Sequence, residues 1–352
     1  MKLLDQKVYN KIKKLNICLV TGIGKVERKS KTDLVAEEDA FTTSRELLKL
    51  MLEEGFKYTD YFTATEENLP ALKFLKPHVF LNLAEGAGLN FISRVIKTLE
   101  ETGLPFTGST EKVNSLSTDK NQAKIIFQKN KIPTPLSFLL TKNNLINFKE
   151  SKMGYPLILK PVLEDGSTGI NQHSVVTCKS ELLHQARKSF NSYDQPLLVE
   201  KYIASREFSV TVYEDNGEIK ILPISELVYK KTDKRKWNIY TYQAKWFYKS
   251  KEYFGTPSVA PPKNISRDDL KKITDMSMAA FKIFQVHDYA RVDLRYDMKN
   301  KIPYVLEINT NPSLEIDDYY SLSTSVTAAK LNMAQFTAII IKSALLRFGK
   351  TI

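Results

Sequence analysis

Apolar and polar residues alternate along two neighbouring stretches within residues 290–312, Ala-Arg-Val-Asp-Leu-Arg-Tyr-Asp and Tyr-Val-Leu-Glu-Ile-Asn. Such alternation is typical of β-strands, and the short polar turn between the stretches predicts a β-hairpin with one buried and one functional face. Side chains two residues apart on a strand point to the same side. Arg291 and Asp293 therefore share a face of the first strand, and Glu307 and Asn309 share a face of the second.

The chemistry of these four residues favours a metal and phosphate site if the two faces coincide. Oxygens of Asp293, Glu307 and Asn309 suit Mg²⁺, which takes a few protein oxygens and completes its shell with water and phosphate. The Arg291 guanidinium would hold a phosphate or a developing negative charge. The alternative interpretation is a solvent-exposed edge hairpin whose charges happen to alternate.

The first third of the chain alternates strands with helices. The predicted elements are a lysine-rich helix within 1–16, a strand at 16–22, a helix at 37–54, a strand at 79–83 and a helix at 91–102. Gly55 and Gly103 stand where the two longer helices should end. This order indicates a parallel, doubly wound sheet. Its ligand edge lies where the strands end, at Gly22, Glu85 and Gly86.

The remainder of the chain predicts two α+β units. In the first, a helix at 118–130 is followed by a strand at 155–161, a glycine loop at 164–169 and a strand beginning at Ile170. In the second, strands at 196–203 and 206–212 precede an irregular, mobile stretch at 229–262, a helix at 266–284, the hairpin and a closing helix at 326–348. We accordingly divide the chain into domains at 1–114, 115–195 and 196–352.

Composition narrows the class of protein. The 352 residues are 42% hydrophobic and 26% charged, a balance typical of globular chains. The formal net charge of +12 is compatible with nucleic acid, an anionic membrane or a polyphosphate. The lysines are spread along the chain, however, and there is no nucleic-acid motif, no apolar run of membrane-spanning length and no signal peptide. We therefore expect neither nucleic acid nor a membrane as a partner.

The cysteines and histidines indicate the redox environment and whether a zinc site is expected. The two cysteines, Cys18 and Cys178, are far apart and lack metal-ligand spacing, which favours a reducing environment and a cytoplasmic location. The four histidines form no motif, so a zinc site is not expected.

A phosphate-binding loop is indicated at 166–169, where Gly-Ser-Thr-Gly can turn backbone N–H groups and hydroxyls onto a phosphate beside Lys160. Neither a Walker A sequence nor a Gly-x-Gly-x-x-Gly fingerprint occurs. Glu207 could accept from ribose hydroxyls, and the backbone after Glu200 could pair with a base edge. Simpler alternatives remain open: a hairpin loop, surface salt bridges of the glutamates with Lys201 or Arg206, and a solvent-exposed helix-start lysine at Lys120.

Taken in order, these stretches resemble the ATP-grasp superfamily, and within it the D-alanine–D-alanine ligases. The resemblance spans residues 79–345. It rests on Leu-Pro-Phe-Thr-Gly-Ser at 104–109, Asp-Lys at 119–120, Leu-Lys-Pro at 159–161, the loop at 166–169, Glu-Lys-Tyr-Ile at 200–203, Arg-Glu-Phe at 206–208, Ala-Lys at 244–245, Ala-Arg-Val-Asp at 290–293 and Glu-Ile-Asn-Thr at 307–310. It implies an α/β (α+β) ATP-grasp fold, in which a doubly wound N-terminal domain is followed by two α+β subdomains that sandwich ATP.

The resemblance also implies roles for individual residues. It places Lys120 and Lys160 on the ATP phosphates, with Gly166 and Ser167 in the loop over them. It places Glu200, Lys201 and Ile203 at the adenine and Glu207 at the ribose. Asp293, Glu307 and Asn309 would bind two Mg²⁺ ions (with Mn²⁺ as an alternative), and Arg291, Lys245 and Ser167 would lie at the reacting groups. In the implied reaction, a carboxylate attacks the γ-phosphorus of ATP to give an acylphosphate, and an amine then displaces phosphate. The expected substrates are small molecules, an amino acid or amine and a carboxylate. A homodimer is compatible with the resemblance.

The substrate side departs from the family pattern. Glu85 replaces a histidine, and Trp246 replaces a tyrosine. The glutamate that orients the first D-alanine corresponds to either Glu27 or Glu37. The serine expected to hold the carboxylate of the second substrate corresponds to Ser321 only after a shift.

An acidic stretch, Glu-Ile-Asp-Asp at 315–318, follows the predicted metal strand and would repel a free carboxylate. We therefore expect an amine-rich or carboxylate-poor acceptor in place of D-alanine. Two alternatives stay open: a ligase for a different amino acid or amine, and a catalytically silent nucleotide-binding regulatory protein. The second is disfavoured because a module that only binds would not need Arg291 together with the three predicted metal ligands.

Overall fold

The computed structural model describes residues 4–22, 35–85, 89–148, 153–231 and 236–352, with side chains described from 41 and 91 onward in the helices that begin at 35 and 89. In the first part, α1 is Gln6–Ile12, β1 Asn16–Gly22, α2 Val35–Glu53, β2 Tyr58–Ala64, a 3-10 helix Leu69–Phe74, β3 Val79–Asn82, α3 Leu89–Thr102 and α4 Glu111–Thr118. β1 pairs in parallel with β2 on one side and β3 on the other. The predicted parallel sheet is confirmed, with helices packed on both faces.

The edge strand β2 adds to the predicted elements. Most of its side chains are only partly buried, and Tyr58 is 60% exposed. Its sequence, Tyr-Thr-Asp-Tyr-Phe-Thr-Ala, therefore carries no clean alternation. Gly55 and Gly103 follow α2 and α3 with φ of 90° and 66°, as expected of glycines that end helices.

The second unit is built on an antiparallel sheet. It comprises α5 Lys120–Lys129, β4 Ser137–Leu140, β5 Leu157–Pro161, β6 Val175–Val176, α6 Lys179–Tyr193 and β7 Leu197–Lys201. The strand order is β4-β7-β5-β6, and α6 packs against the sheet. The strand predicted at 196–203 as the start of the following unit therefore belongs to this sheet, because β7 pairs with β4 and β5. The predicted strand beginning at Ile170 is wrong, because pairing starts only at Val175. The Ile170 N–H group instead donates to the Ser167 carbonyl at 2.9 Å, which closes a turn.

The third unit carries the hairpin. It comprises β8 Arg206–Asp215, β9 Glu218–Ile221, β10 Ser225–Leu227, α7 Tyr242–Trp246, α8 Lys251–Phe254, β11 Ser258–Val259, α9 Arg267–Phe284, β12 Tyr289–Asp297, β13 Ile302–Asn309, α10 Ser321–Ala328 and α11 Met333–Arg347. The strand order is β11-β10-β8-β12-β13, and β9 pairs with β8. The predicted hairpin is confirmed as β12 and β13, and α9 packs against their sheet.

Two predictions in this unit need correction. The predicted single closing helix is two helices, because Asn332 begins α11 with a capping box in which it and Gln335 exchange side-chain-to-backbone hydrogen bonds. The stretch predicted to be irregular contains α7 and α8 in its described part. These helices begin where the Thr241 and Ser250 side chains accept from backbone N–H groups.

α11 packs into the N-terminal part of the molecule. Its buried side chains, among them Phe336, Ile339 and Ile340, share one core with Ile17 and Leu81 of the parallel sheet. The helix that comes last in the chain therefore completes the core of the domain that comes first.

A buried ion pair fastens the end of α11 to the same region. The Arg347 guanidinium donates to the Asp288 carboxylate at 3.0 Å, and the Gly108 N–H group donates to the same oxygen at 2.9 Å. Among the described helices, none is both long enough and apolar enough to cross a lipid bilayer.

Candidate active site

The β12–β13 hairpin brings its four predicted site residues together. The register pairs Arg291 with Asn309 and Asp293 with Glu307. The Asp293 carboxylate accepts from the Arg291 guanidinium at 3.0 and 3.1 Å and from the Asn309 amide at 3.0 Å. Ser209, on the neighbouring strand β8, donates to the same carboxylate at 2.6 Å. Arg291, Asp293 and Asn309 thus form one hydrogen-bonded cluster, with Glu307 opposite Asp293 on the neighbouring strand, unlike the separate charges of a solvent-exposed edge.

Glu307 connects this cluster to cations on other elements. Its carboxylate lies 3.6 Å from the Nζ atom of Lys120, the first residue of α5. Burial would raise the pKa of Glu307, but the ammonium groups of Lys120 and Lys160 and the guanidinium of Arg291 hold this pKa below its ordinary value. Glu307 is therefore anionic at neutral pH, as a metal ligand must be.

The donor set of this hairpin face fits a hard divalent cation. It offers the carboxylates of Asp293 and Glu307 and the amide of Asn309, which are oxygen ligands that Mg²⁺ accepts. Within the described ranges, no group of three or more His, Cys, Asp or Glu side chains is placed to hold a metal ion. A site with two carboxylates and an amide leaves coordination positions for water and phosphate, as Mg²⁺ sites that also bind nucleotides do.

A buried ion cluster lies beside the predicted adenine and phosphate residues. Glu200 is 1% exposed, and its two carboxylate oxygens lie 2.6 Å from the Nζ atoms of Lys124 and Lys160 respectively. Burial opposes ionisation, but the two ammonium groups lower the pKa of Glu200 to about 2. The alternative of a surface salt bridge with Lys201 is wrong, since Lys201 Nζ donates to the Tyr155 carbonyl at 2.8 Å.

Glu207 is engaged by a second buried cation. The Arg295 guanidinium contacts one carboxylate oxygen of Glu207 at 2.5 and 3.1 Å, and the Tyr229 hydroxyl donates to the same oxygen at 2.7 Å. Arg295 also donates to the Ile203 carbonyl at 2.7 Å, which ties the predicted base-binding backbone to the predicted ribose ligand. Arg295, and not Arg206, is therefore the ion-pair partner of Glu207.

Lys124 and Arg295 were not among the predicted site residues, although the sequence holds a signal for each. Lys124 follows Lys120 by one helical turn and so lies on the same face of α5. Arg295 follows Asp293 by two residues on β12. Their partners come from distant parts of the chain, and residue periodicity cannot identify such partners.

The two glycines of the loop adopt left-handed backbone conformations, which glycine favours, and Ser167 between them shares this region. Gly166, Ser167 and Gly169 have φ values of 56°, 63° and 78°, in the left-handed region. A Cβ atom at Gly169 would lie 2.8 Å from the Pro161 ring and 3.0 Å from Tyr193, so a side chain there would clash. The loop can thus pass close to its neighbours only with glycine at this position.

The glycine loop contacts the segment that contains α7. The Trp246 indole N–H group donates to the Gly166 carbonyl at 2.7 Å, and Lys245 Nζ lies 4.5 Å from the centroid of the indole ring. Lys120 donates to the Glu164 carbonyl of the same loop. The two segments predicted to close over the site therefore touch each other. Together with the hairpin they line one cleft, to which Lys120, Lys160, Ser167, Glu207, Lys245 and Arg291 contribute.

A second cavity adjoins this cleft on the predicted substrate side. It shares Lys120, Lys245, Arg291, Glu307 and Glu315 with the cleft, and its own wall includes Glu85, Trp246, Asn309 and Ser313. Burial, together with the nearby Glu315 carboxylate, raises the pKa of Glu85 to about 8. Glu85, the residue that replaces the histidine of the family pattern, is therefore largely protonated at neutral pH.

The remaining substrate-side predictions have mixed outcomes. Ser321 lines the main cleft, at the start of α10. Of the two candidates for the orienting glutamate, Glu27 lies outside the described residues, and so does the side chain of Glu37. Gly86, predicted at the ligand edge of the parallel sheet, also lies outside them.

Comparison with known proteins bears on the whole arrangement. A family model described as the D-ala D-ala ligase C-terminus matches residues 127–342. An uncharacterized protein, y4sG of Sinorhizobium fredii, is 32% identical over 247 residues, which are 69% of this chain and 68% of that protein. A D-alanine--D-alanine ligase of Pelagibacter ubique is 29% identical over 281 residues, 77% of this chain and 83% of the ligase.

Solved structures agree in fold. The crystal structure of a D-alanine--D-alanine ligase from Bacillus anthracis complexed with ATP aligns with a TM-score of 0.71 at 24% identity, and the alignment covers 94% of this chain and 98% of the other. A further crystal structure of D-alanine--D-alanine ligase from Bacillus anthracis gives a TM-score of 0.72 at 23% identity, covering 95% and 99%. At these identities the likeness establishes the fold, which is the one the sequence predicts.

Proposed function

Because the chain belongs to the D-alanine–D-alanine ligase family, we propose that it is an ATP- and Mg²⁺-dependent ligase that joins a carboxylate to an amine through an acylphosphate. The observation that carries this proposal is the cluster of Arg291, Asp293, Glu307 and Asn309 on one hairpin face. This cluster opens into a cleft that also holds the cations expected to meet a triphosphate.

The proposed roles of the side chains follow from charge and position. Lys120 and Lys160 bind the phosphates of ATP, and Arg291 donates to the phosphoryl group as it moves to the substrate carboxylate. Mg²⁺, held by Asp293, Glu307 and Asn309, supplies further neutralisation of the phosphate charge when it is bound. The acceptor amine then attacks the acyl carbon, and inorganic phosphate leaves.

Water must be kept from the acylphosphate, which would otherwise hydrolyse. In the proposal this is the work of the glycine loop and the α7 segment, which meet at Gly166 and Trp246 above the cleft. Ser167 and Lys245 then face the reacting groups from these two segments.

The nucleotide end of the cleft supports binding of a purine nucleotide. Arg295 and Tyr229 both contact one oxygen of Glu207, the Oε2 atom, and the proposal assigns the other oxygen to the ribose hydroxyls. The backbone from Lys201 to Ile203 meets the adenine edge. Glu200 supports Lys160 from beneath.

The acceptor is proposed to differ from D-alanine. The cavity wall presents Glu85 and Glu315, and Trp246 supplies a donor in place of a phenol hydroxyl. The Glu315 carboxylate at this wall opposes the free α-carboxylate of an amino acid. Glu85, with a pKa of about 8, is largely protonated at neutral pH and adds a neutral polar group. The wall therefore favours an amine-rich or carboxylate-poor acceptor.

The test is substrate-dependent release of ADP. We expect wild-type protein, given Mg·ATP and a panel of D- and L-amino acids and amines, to release ADP with at least one pair of substrates. Glu307→Gln and Asp293→Asn should lower this rate by about 100-fold or more, beyond the roughly 10–100-fold typical of residues that only support metal ligands. Glu226→Gln serves as the control and should retain activity. Glu226 lies on β10, and its carboxylate pairs with Arg206 on the neighbouring strand β8.

The outcomes separate the alternatives. Turnover near the wild-type rate in both Glu307→Gln and Asp293→Asn would remove the metal assignment. ATP binding without ADP release across the panel would favour a catalytically silent nucleotide-binding protein. Efficient D-alanyl-D-alanine formation, with D-alanine saturating both sites at low-millimolar levels or below, on the order of ordinary KM values, would contradict the altered acceptor.

A further inference from the structure

Lys124 is a buried lysine with a complete set of partners. It is 2% exposed, and its Nζ atom lies 2.6 Å from one carboxylate oxygen of Glu200. The same atom donates to the Thr134 hydroxyl at 2.7 Å and to the Leu306 carbonyl at 2.8 Å. The Val305 carbonyl lies at 3.3 Å from this atom, so four acceptors surround the three N–H donors of the ammonium group.

The other oxygen of Glu200 holds Lys160, which faces the cleft. This second ion pair is also 2.6 Å long, and the Lys160 side chain is 15% exposed whereas Glu200 is 1% exposed. Two ammonium groups thus share one carboxylate. With both lysines protonated, the cluster carries a net charge of +1. Lys160 and Glu200 both line the cleft, and Lys160 is the more exposed of the two.

The position of Lys124 on α5 adds a second constraint. Lys120, one turn earlier on this helix, lies 3.6 Å from Glu307, while Lys124 holds the carbonyl of the preceding residue, Leu306. The helix is therefore fixed against β13 at the predicted metal ligand and at the residue that precedes it.

We propose that Lys124 is a positioning residue which, by pairing with Glu200, leaves a net positive charge on Lys160 for the nucleotide phosphates. Without Lys124, the whole charge of Glu200 would fall on Lys160, and the pair would present no net charge to a phosphate. This inference rests on the proposed function, since it takes the ligand of Lys160 to be the phosphate chain of ATP.

The test compares two ligands that differ in the phosphate chain. Dissociation constants for Mg·ATP and for adenosine are measured without carboxylate or amine substrates, so that no turnover occurs. Lys124→Met should weaken Mg·ATP binding by about tenfold or more, equivalent to about 1.4 kcal/mol, and should change adenosine binding by no more than about twofold. Lys124→Arg, which keeps the charge, should recover most of the Mg·ATP affinity.

Two further variants distinguish electrostatics from packing. Lys342→Met removes a partly buried lysine that pairs with Asp215 at 2.8 Å in another region, and it should leave both affinities unchanged. In the double variant Lys124→Met with Glu200→Gln, the carboxylate that neutralises Lys160 is gone. The ratio of adenosine to Mg·ATP dissociation constants should therefore return toward the wild-type value.

A purely structural role predicts the opposite pattern. Lys124→Met would then lower the melting temperature while the ratio of the two dissociation constants stayed at the wild-type value, and this result would overturn the inference. If Lys124→Met does not fold, the double variant and Lys124→Arg decide. A folded double variant that binds Mg·ATP no more tightly than adenosine would also overturn the inference. Wild-type protein that binds adenosine as tightly as Mg·ATP would instead refute the proposed function, and this inference with it.

Discussion

The contact between Trp246 and the glycine loop gives a sharp prediction for the replacement Trp246→Phe. The indole N–H group donates to the Gly166 carbonyl at 2.7 Å, and ring atoms lie 3.2 Å from the point where a Gly166 Cβ atom would stand. Phenylalanine keeps an aromatic ring in the same place but has no donor. The substitution therefore removes one hydrogen bond between the two segments that cover the cleft.

The expected change in the KM for ATP follows from the loss of this single hydrogen bond. A neutral N–H···O hydrogen bond contributes about 0.5–1.5 kcal/mol net to stability. At about 1.4 kcal/mol per factor of ten, a loss of about 1 kcal/mol lowers the ratio of closed to open segments by roughly fivefold. We expect the KM for ATP to rise by about this factor, while the fold is unchanged.

Hydrogen exchange provides the assay. In wild-type protein, residues 164–170 should become protected when Mg·ATP binds, and Trp246→Phe should reduce this protection. The matched control is Trp237→Phe, because the buried Trp237 indole N–H group has no hydrogen-bond partner among the described residues. The control removes an indole without removing such a bond. Equal protection of the loop in Trp246→Phe and wild type, or equal effects of the two substitutions, would refute the reasoning.

Two further predictions concern residues outside the predicted set. Arg295→Lys should raise the KM for ATP by about tenfold, because an ammonium cannot reproduce the two guanidinium hydrogen bonds to one oxygen of Glu207. The control is Arg206→Lys, which loses the bidentate pair with Glu226. An equal rise in both variants would contradict a specific role of Arg295. Hydrogen bonds from Tyr296 and Lys301 lower the pKa of Asp269 from 3.8 to about 2, so its contribution to stability is present above about pH 4 and is lost as the pH falls toward 2. The difference in melting temperature between wild type and Asp269→Asn should therefore be largest at neutral pH and narrow between pH 4 and 2, and a difference independent of pH would disprove this assignment.

Features carried by local patterns could be predicted from the sequence. The hairpin follows from alternation, which is a property of neighbouring residues, and it places Arg291, Asp293, Glu307 and Asn309 without knowledge of the rest of the fold. The parallel sheet follows from the spacing of strands and helices. The ordered set of motifs was specific enough to identify the family before the structure was known.

Features that depend on distant partners could not be predicted in this way. Nothing near Glu200 in the sequence indicates that Lys124 pairs with it. The residue next to Glu207 is Arg206, whereas its ion-pair partner in the fold is Arg295. The strand expected at Ile170 failed for a related reason. A single apolar residue after a glycine loop does not reveal that its N–H group will close a turn.

The packing of α11 against the parallel sheet has a consequence for the synthesis of the chain. The ribosome delivers β1 and β3 well before residues 333–347, so the sheet face that includes Ile17 and Leu81 waits for its partner helix. At about 5–20 residues per second, this wait lasts on the order of tens of seconds. During that time an apolar surface is open to chaperones and to other nascent chains. A polypeptide that stops short of α11 keeps this surface exposed, which makes a truncated product recognisable to the cell by its first domain.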